Sequence, residues 1–285
     1  MTSQNIQITD GGLDITLREV REDWEYQACV DLQKATWGDC PGEIIYRTTF
    51  IISQKVGGIT AGAFDAKNRL LGFVFGLTGI QSGRPVHWSH QLAVRNDYRG
   101  QGIGRRLKLY QREWLLNRGV EIMQWTYDPL VARNAHFNLN RLGARINEYV
   151  INIYGETTGD ILSKGIGTDR FIVEWRMAEE HAVNTIQGKR EKAHRASTDV
   201  PILNTAKDKD GTVTPVDNSL DEHPAVRVEV PGHILAIQNA SLDLAARWRA
   251  NTRRVFTHYL DRGYGIDSFY REPDSRRCFY VLKKP

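Results

Sequence analysis

The strongest constraint in this chain is a glycine cluster where a strand passes into a helix: Gln91-Leu-Ala-Val-Arg-Asn-Asp-Tyr-Arg99-Gly100-Gln101-Gly102-Ile103-Gly104-Arg105-Arg106. Val86 to Val94 before it reads as a strand. Gly102 to Asn117 has helical spacing, with Ile103, Leu107, Tyr110 and Trp114 on one face. Glycine lets backbone amides approach a ligand without a Cβ in the way. The first turn of a helix offers unpaired N–H donors and the positive end of the dipole. Strand, glycine turn and helix together make a phosphate cradle, and Arg99, Arg105 and Arg106 add cationic donors beside it. Two familiar phosphate motifs do not fit. The dinucleotide pattern G-x-G-x-x-G/A fails at Arg105 when counted from Gly100 and at Leu107 when counted from Gly102. The nucleotide P-loop needs Gly-Lys followed by Ser or Thr, a tripeptide that does not occur. A purely structural turn remains the alternative.

The elements around the cluster predict a mixed sheet with helices on its faces, an α/β (α+β) chain. Leu13 to Val20 alternates as a strand, and Glu22 to Thr36 and Ile44 to Lys55 are helical. Ile59 to Phe64 and Leu70 to Leu77 are strands joined by the hairpin turn Asp65-Ala66-Lys67-Asn68. After the glycine helix come a strand from Glu121 to Tyr127, a helix from Val131 to Leu142, and strands at Ile146 to Tyr154 and Phe171 to Trp175. Residues 178–225 read as a polar, partly flexible connection. Residues 226–285 then add a strand, a helix over Leu242 to Leu260 and two closing strands. This small αβ extension carries a strong apolar stripe of Leu244, Trp248, Val255 and Tyr259. Its helix-end run Asp261-Arg262-Gly263 echoes Asn117-Arg118-Gly119, either as a degenerate half-repeat or because helix ends favour such a stop. The stripe predicts that the extension packs on the first domain, residues 1–177.

The run Arg99-x-x-Gly102-x-Gly104, with a strand before it and an amphipathic helix after it, resembles the pyrophosphate-binding motif of the GNAT (N-acetyltransferase) superfamily. The next strand, and a helix ending in Arg141-Leu142-Gly143-Ala144, fit the same resemblance, which covers about Leu13 to Met177. It implies the GNAT fold, a twisted, mostly antiparallel mixed sheet with a splayed central strand pair, and acyl transfer from acetyl-CoA or another acyl-CoA, with no metal. By position, Gly100, Gln101, Gly102, Ile103, Gly104 and Arg105, with Arg99, would hold the pyrophosphate. The pantetheine arm would lie along Leu92, Ala93 and Val94, with the Leu92 N–H facing the thioester carbonyl. Asn134 and Phe137 are further coenzyme candidates.

His90 stands where arylalkylamine N-acetyltransferases, which are similar here, place a base, and an imidazole accepts protons near neutral pH. The alternative is a strand histidine satisfied by nearby backbone. The tyrosine acid usual in the superfamily is replaced by Leu139, so Tyr127 and Tyr154 are considered in its place, with simple packing as the competing reading. The runs Trp125-Thr126-Tyr127-Asp128-Pro129-Leu130, Arg133-Asn134-Ala135 and Thr168-Asp169-Arg170-Phe171 resemble a bacterial GNAT group with members linked to N-acylamino-acid racemases, which implies succinyl-CoA and an amino acid.

Charge and composition narrow the partners. The net charge of +4 comes from 38 basic and 34 acidic residues mixed along the chain, which fits an anionic small molecule and offers no nucleic-acid-reading motif. No apolar run approaches the length of a membrane span. The N-terminus lacks an export pattern, and Cys29, Cys40 and Cys278 are too few for a disulfide framework, so reduced thiols in the cytoplasm are expected. The expected partner is a small-molecule amine, not nucleic acid or membrane, and a homodimer is left open. The rival reading is a non-catalytic acyl-CoA-binding or regulatory protein. The basic helix face of Arg105, Lys108 and Arg112 is expected to be solvated beyond the first turn of the helix.

Overall fold

Alternating apolar residues give strands and 3.6-residue spacing gives helices, and in this chain the two patterns interlock around one large sheet. A computed structural model of the chain describes residues 5–10, 13–39, 43–155, 165–189 and 200–284; Cys40 lies outside them. The described residues form two compact units. One holds 5–10, 13–39, 43–125 and 176–178; the other holds 126–155, 165–175, 179–189 and 200–284.

The first unit contains β1 (Ile6–Asp10), β2 (Leu13–Glu19), α1 (Asp23–Trp37), α2 (Arg47–Lys55), β3 (Ile59–Asp65), β4 (Leu70–Gln81), β5 (Arg84–Val94) and α3 (Ile103–Leu116), and β6 (Ile122–Tyr127) begins in it. The sheet order is β1-β2-β3-β4-β5-β6. Every pair is antiparallel except β5 with β6, which run parallel. β1 was not read from the polar N-terminal sequence. The Asp65–Asn68 turn is present, with Asn68 at φ 60°. A second tight turn at Ser82-Gly83, both at positive φ, closes a longer β4–β5 hairpin than the sequence suggested.

A core lies on each face of this sheet. Tyr26, Cys29, Phe50, Phe64, Phe73, Phe75 and Ala93 pack with α1 and α2. Ile15, Leu17, Leu71, Val74, Ile103 and Leu107 pack with α3 on the other face, where Leu92 and Val94 join them. Successive β5 side chains near the cluster therefore serve opposite faces, as a strand requires.

The second unit contains α4 (Ala132–Ala135) with its π-helical continuation His136–Leu142, the antiparallel pair β7 (Arg145–Val150) and β8 (Arg170–Arg176), and α5 (Glu180–Ile186). It also holds the short pair β9 (Thr205–Lys207) and β10 (Val213–Pro215), then β11 (Ala225–Val230), α6 (Ile234–Ala240), α7 (Leu242–Leu260), β12 (Gly265–Arg271) and β13 (Cys278–Lys283). The stretch read as a connection therefore contains regular elements, and Asn204 and Thr205 within it are buried. In the C-terminal sheet β13 lies between β11 and β12, antiparallel to both. Residues of α7 and β13 pack with β8: the rings of Phe171, Phe256 and Tyr280 meet at centroid distances of 4.9–5.5 Å. α7 sends Arg249 to Asp128 and Arg253 to Asp169.

Candidate functional site

The glycine cluster adopts the conformation its sequence demands. β5 ends at Val94, a 3₁₀ turn covers Asn96–Tyr98, and α3 starts with Gly102 as its N-cap in the left-handed region (φ 78°). Gly100 is also left-handed (φ 82°), and a Cβ built at either glycine would meet no atom within 4 Å. The backbone geometry selects glycine, and the space over it stays open. The cap has no side-chain hydrogen bond and the first turn has no acidic residue, so its amides keep an uncompensated positive field. Arg99 Nε donates to the Val94 carbonyl at 3.1 Å, which ties the turn to the strand end. These features fit a diphosphate.

β5 is paired with β6 only at Val86, His87 and Trp88, opposite Ile122, Met123 and Gln124. From Ser89 to Val94 its hydrogen-bonded neighbour is β4. The Arg95 amide donates to Leu71 O on β4. Amides alternate sides along a strand, so those of Leu92 and Val94 point away from β4, along the open edge. An extended amide-bearing ligand can pair with that edge. Just inside it, the β4–β5 register steps from Phe75 opposite Gln91 to Gly76 opposite Ser89. His90 is the bulged residue, and a bulge re-aims the side chain at this point.

The His90 ring lies edge-on to Phe75, with centroids 6.1 Å apart, and so faces the α1–α2 side of the sheet. It is solvent-accessible, and neither ring nitrogen has a hydrogen-bond partner among the described residues. Surrounding protein mass lowers its pKa from the ordinary value by desolvation. A neutral, accessible imidazole at a strand bulge is equipped to take a proton.

On the α3 side lies a buried polar chain. Lys108 Nζ donates to Ser89 Oγ (2.6 Å). Ser89 Oγ donates to Gln111 Oε1 (2.9 Å), and Gln111 Nε2 lies 3.0 Å from His87 Nε2. His87 Nδ1 lies 2.9 Å from Thr78 Oγ1. If each group donates to the next, His87 is neutral with its proton on Nδ1. The expectation that Lys108 belongs to a solvated face is corrected: it is 2% exposed. Three residues before Gln111 and seven before Leu115, Lys108 lies on the buried face of α3, a placement legible from helical spacing. Arg112 is half-buried and donates to Met177 O from both Nε and Nη2.

Gly76 admits this arrangement, since a Cβ there would lie 2.2 Å from His87 Nε2. Burial, assisted by the charge of Lys108, pushes the His87 pKa down to about 3. The unfolded chain takes up this proton near pH 6.5. Stability from His87 is therefore complete above about pH 6.5 and falls toward pH 3, by up to about 1.4 kcal/mol per pH unit. Denaturant melts between pH 7 and 5 should show that loss, and His87→Gln should flatten it.

The remaining candidates belong to the second unit. Tyr127 is buried, with its hydroxyl 3.2 Å from that of Tyr280 and its ring against Phe171; burial raises its pKa far above the ordinary value. Tyr154 is exposed, with its hydroxyl 2.8 Å from Thr126 Oγ1. Leu139 is buried, and Asn134 and Phe137 are half-buried around α4.

Residues 19–143 match the profile of the acetyltransferase (GNAT) family. No curated protein matches the chain. Among solved structures, the ribosomal-protein-S18-alanine N-acetyltransferase of Escherichia coli is 20% identical, with a TM-score of 0.44 over 58% of this chain and 97% of that one. An aminoglycoside 6'-acetyltransferase type Ii is 18% identical, with a TM-score of 0.45 over 57% of this chain and 98% of that one. Arabidopsis thaliana Naa50, in complex with a bisubstrate analogue, is 17% identical, with a TM-score of 0.44 over 56% and 97%.

Proposed function

We propose that this chain, whose residues 19–143 carry the GNAT-family segment, is an N-acyltransferase that moves an acetyl or other short acyl group from acyl-CoA to a primary amine of a small molecule such as an amino acid. The observation that carries the reading is the open glycine turn leading into α3 beside the unpaired edge of β5. The amides of Ile103, Gly104 and Arg105 with Arg99 would hold the diphosphate, and the pantetheine amides would pair along Leu92 and Val94. The Leu92 N–H is then the donor for the oxyanion that forms as the amine attacks the thioester. His90, on the α1–α2 side, takes the proton that an acceptor ammonium must lose before attack. The racemase-linked resemblance makes succinyl-CoA with amino acids the first pair to try.

A second reading, a non-catalytic acyl-CoA binder, draws on Leu139 in the usual acid's place and on the buried, bonded hydroxyl of Tyr127. Thiol release from acetyl-CoA and succinyl-CoA across an amine panel separates the two readings. For the coenzyme itself, calorimetry on Gly102→Glu should show affinity lowered at least about tenfold, or 1.4 kcal/mol. Gly102→Asn, which tolerates the left-handed backbone, controls for the conformation and should bind nearly as the parent does. Equal coenzyme affinity in a folded Glu variant would remove the diphosphate from this turn.

A further inference from the structure

Lys108 lies where β5 and β6 part. The last paired residues are Trp88 and Gln124; Ser89 and Trp125 are the first residues beyond them. The Lys108 ammonium nitrogen contacts both, at 2.6 Å from Ser89 Oγ and 4.0 Å from the centre of the Trp125 ring, with Met123 Sδ at 3.6 Å. The groups facing it are Ser89 and His87 from β5, Gln111 from its own helix, and Met123 and Trp125 from β6. None is an anion, and no carboxylate pairs with Lys108 among the described residues. An unpaired amine at this depth is costly to a fold, and methionine would fill the same space.

The fork is also what an acyl-CoA sulfur would approach if the proposed function holds. Ser89 is five residues from Val94, about 17 Å at about 3.3 Å per residue. The pantetheine arm has about thirteen bonds from phosphorus to sulfur, equal to about four residues of extended backbone or about 15 Å. An arm that starts at the glycine turn and follows the edge of β5 therefore stops short of Ser89, which leaves the sulfur between the Leu92 amide and the fork.

We infer that Lys108 is the acid of the reaction, giving its Nζ proton to the coenzyme A sulfur as the thioester breaks. The amine nitrogen forms its bond to the acyl carbon, the C–S bond breaks with its electron pair going to sulfur, and sulfur takes the proton from Lys108. The acceptor nitrogen loses two protons between ammonium and amide, which pass through His90 and water. Neutral Lys108 recovers one proton from solvent as the thiol leaves, so one is released overall. This supplies the proton that the superfamily's tyrosine would give and that Leu139 cannot. Burial moves the lysine pKa well below its ordinary value, so its ammonium gives up a proton more readily than an exposed lysine does.

The test needs no acceptor. Coenzyme A is titrated on wild type, Lys108→Met and Lys108→Gln, following thiolate absorbance in the ultraviolet, with calorimetry and melting temperature measured alongside. Bound thiol in the wild type should ionise at least about one pH unit, or tenfold, more readily than in either variant. Lys108→Met should melt at or above the parent temperature, and Lys108→Gln serves if the Met variant does not fold. Identical thiol titrations in wild type and a variant that binds coenzyme A would overturn the assignment. So would loss of coenzyme binding in both folded variants, which makes Lys108 a binding group. Failure of the wild type to bind coenzyme A at all strikes the proposed function, and this inference falls with it.

Discussion

His90→Gln should lower acyl transfer about 10²- to 10⁴-fold, the usual worth of a positioned general base, while leaving coenzyme affinity and melting temperature near the parent values. The residue is the extra one at the β4–β5 bulge, and its ring makes no hydrogen bond that the fold would miss. The Phe75 contact is retained in part by the glutamine stem. The pH profile gives a second reading. Desolvation lowers the His90 pKa, so the base is free over more of the pH range than an ordinary imidazole. The acidic limb of kcat/KM should lie below about pH 6.5 in the wild type and vanish in the variant. A Gln variant with parental rate and profile would return His90 to a packing role.

The glycine turn and the helix that follows it were legible because they are local. Gly100 and Gly102 needed left-handed backbone, α3 needed its stripe, and both effects act within a few residues. The polar chain through Lys108 was less visible, since a lysine beside Arg105 and Arg112 reads as a solvated face unless its distance from Gln111 and Leu115 is weighed first. The bulge at His90 could not be read at all: it depends on the register of β4 against β5, which no local pattern encodes. The same holds for Asp128 and Asp169. They stand in the runs that suggested kinship with a particular acyltransferase group, yet in the structure both carboxylates bind arginines of α7, more than eighty residues away in sequence.

That pairing makes loss of the extension the other large effect. A chain ending at residue 225 should fail to give a stable second unit, and it should aggregate or melt far below the full-length protein. The cut removes Arg249 and Arg253, the partners of Asp128 at 2.5 Å and of Asp169 at 2.7 Å. Both carboxylates are nearly inaccessible to solvent. Asp128 keeps Arg170 at 3.7 Å and Asp169 keeps the Tyr149 hydroxyl, so the larger loss is the apolar face that α7 and β13 cover, set against a whole stability of about 5–15 kcal/mol expected of a domain. The same cut strips Phe256 and Tyr280 from Phe171 and takes away the Tyr280 hydroxyl that donates to Pro129 O at 3.0 Å. A substitution that keeps the chain length makes the cause specific. Arg249→Met in the full-length protein removes one buried partner alone, so it should lower the melting temperature by an intermediate amount. Equal melting temperatures for the truncated and full-length proteins would show that residues 126–175 complete a core without α7 and β13.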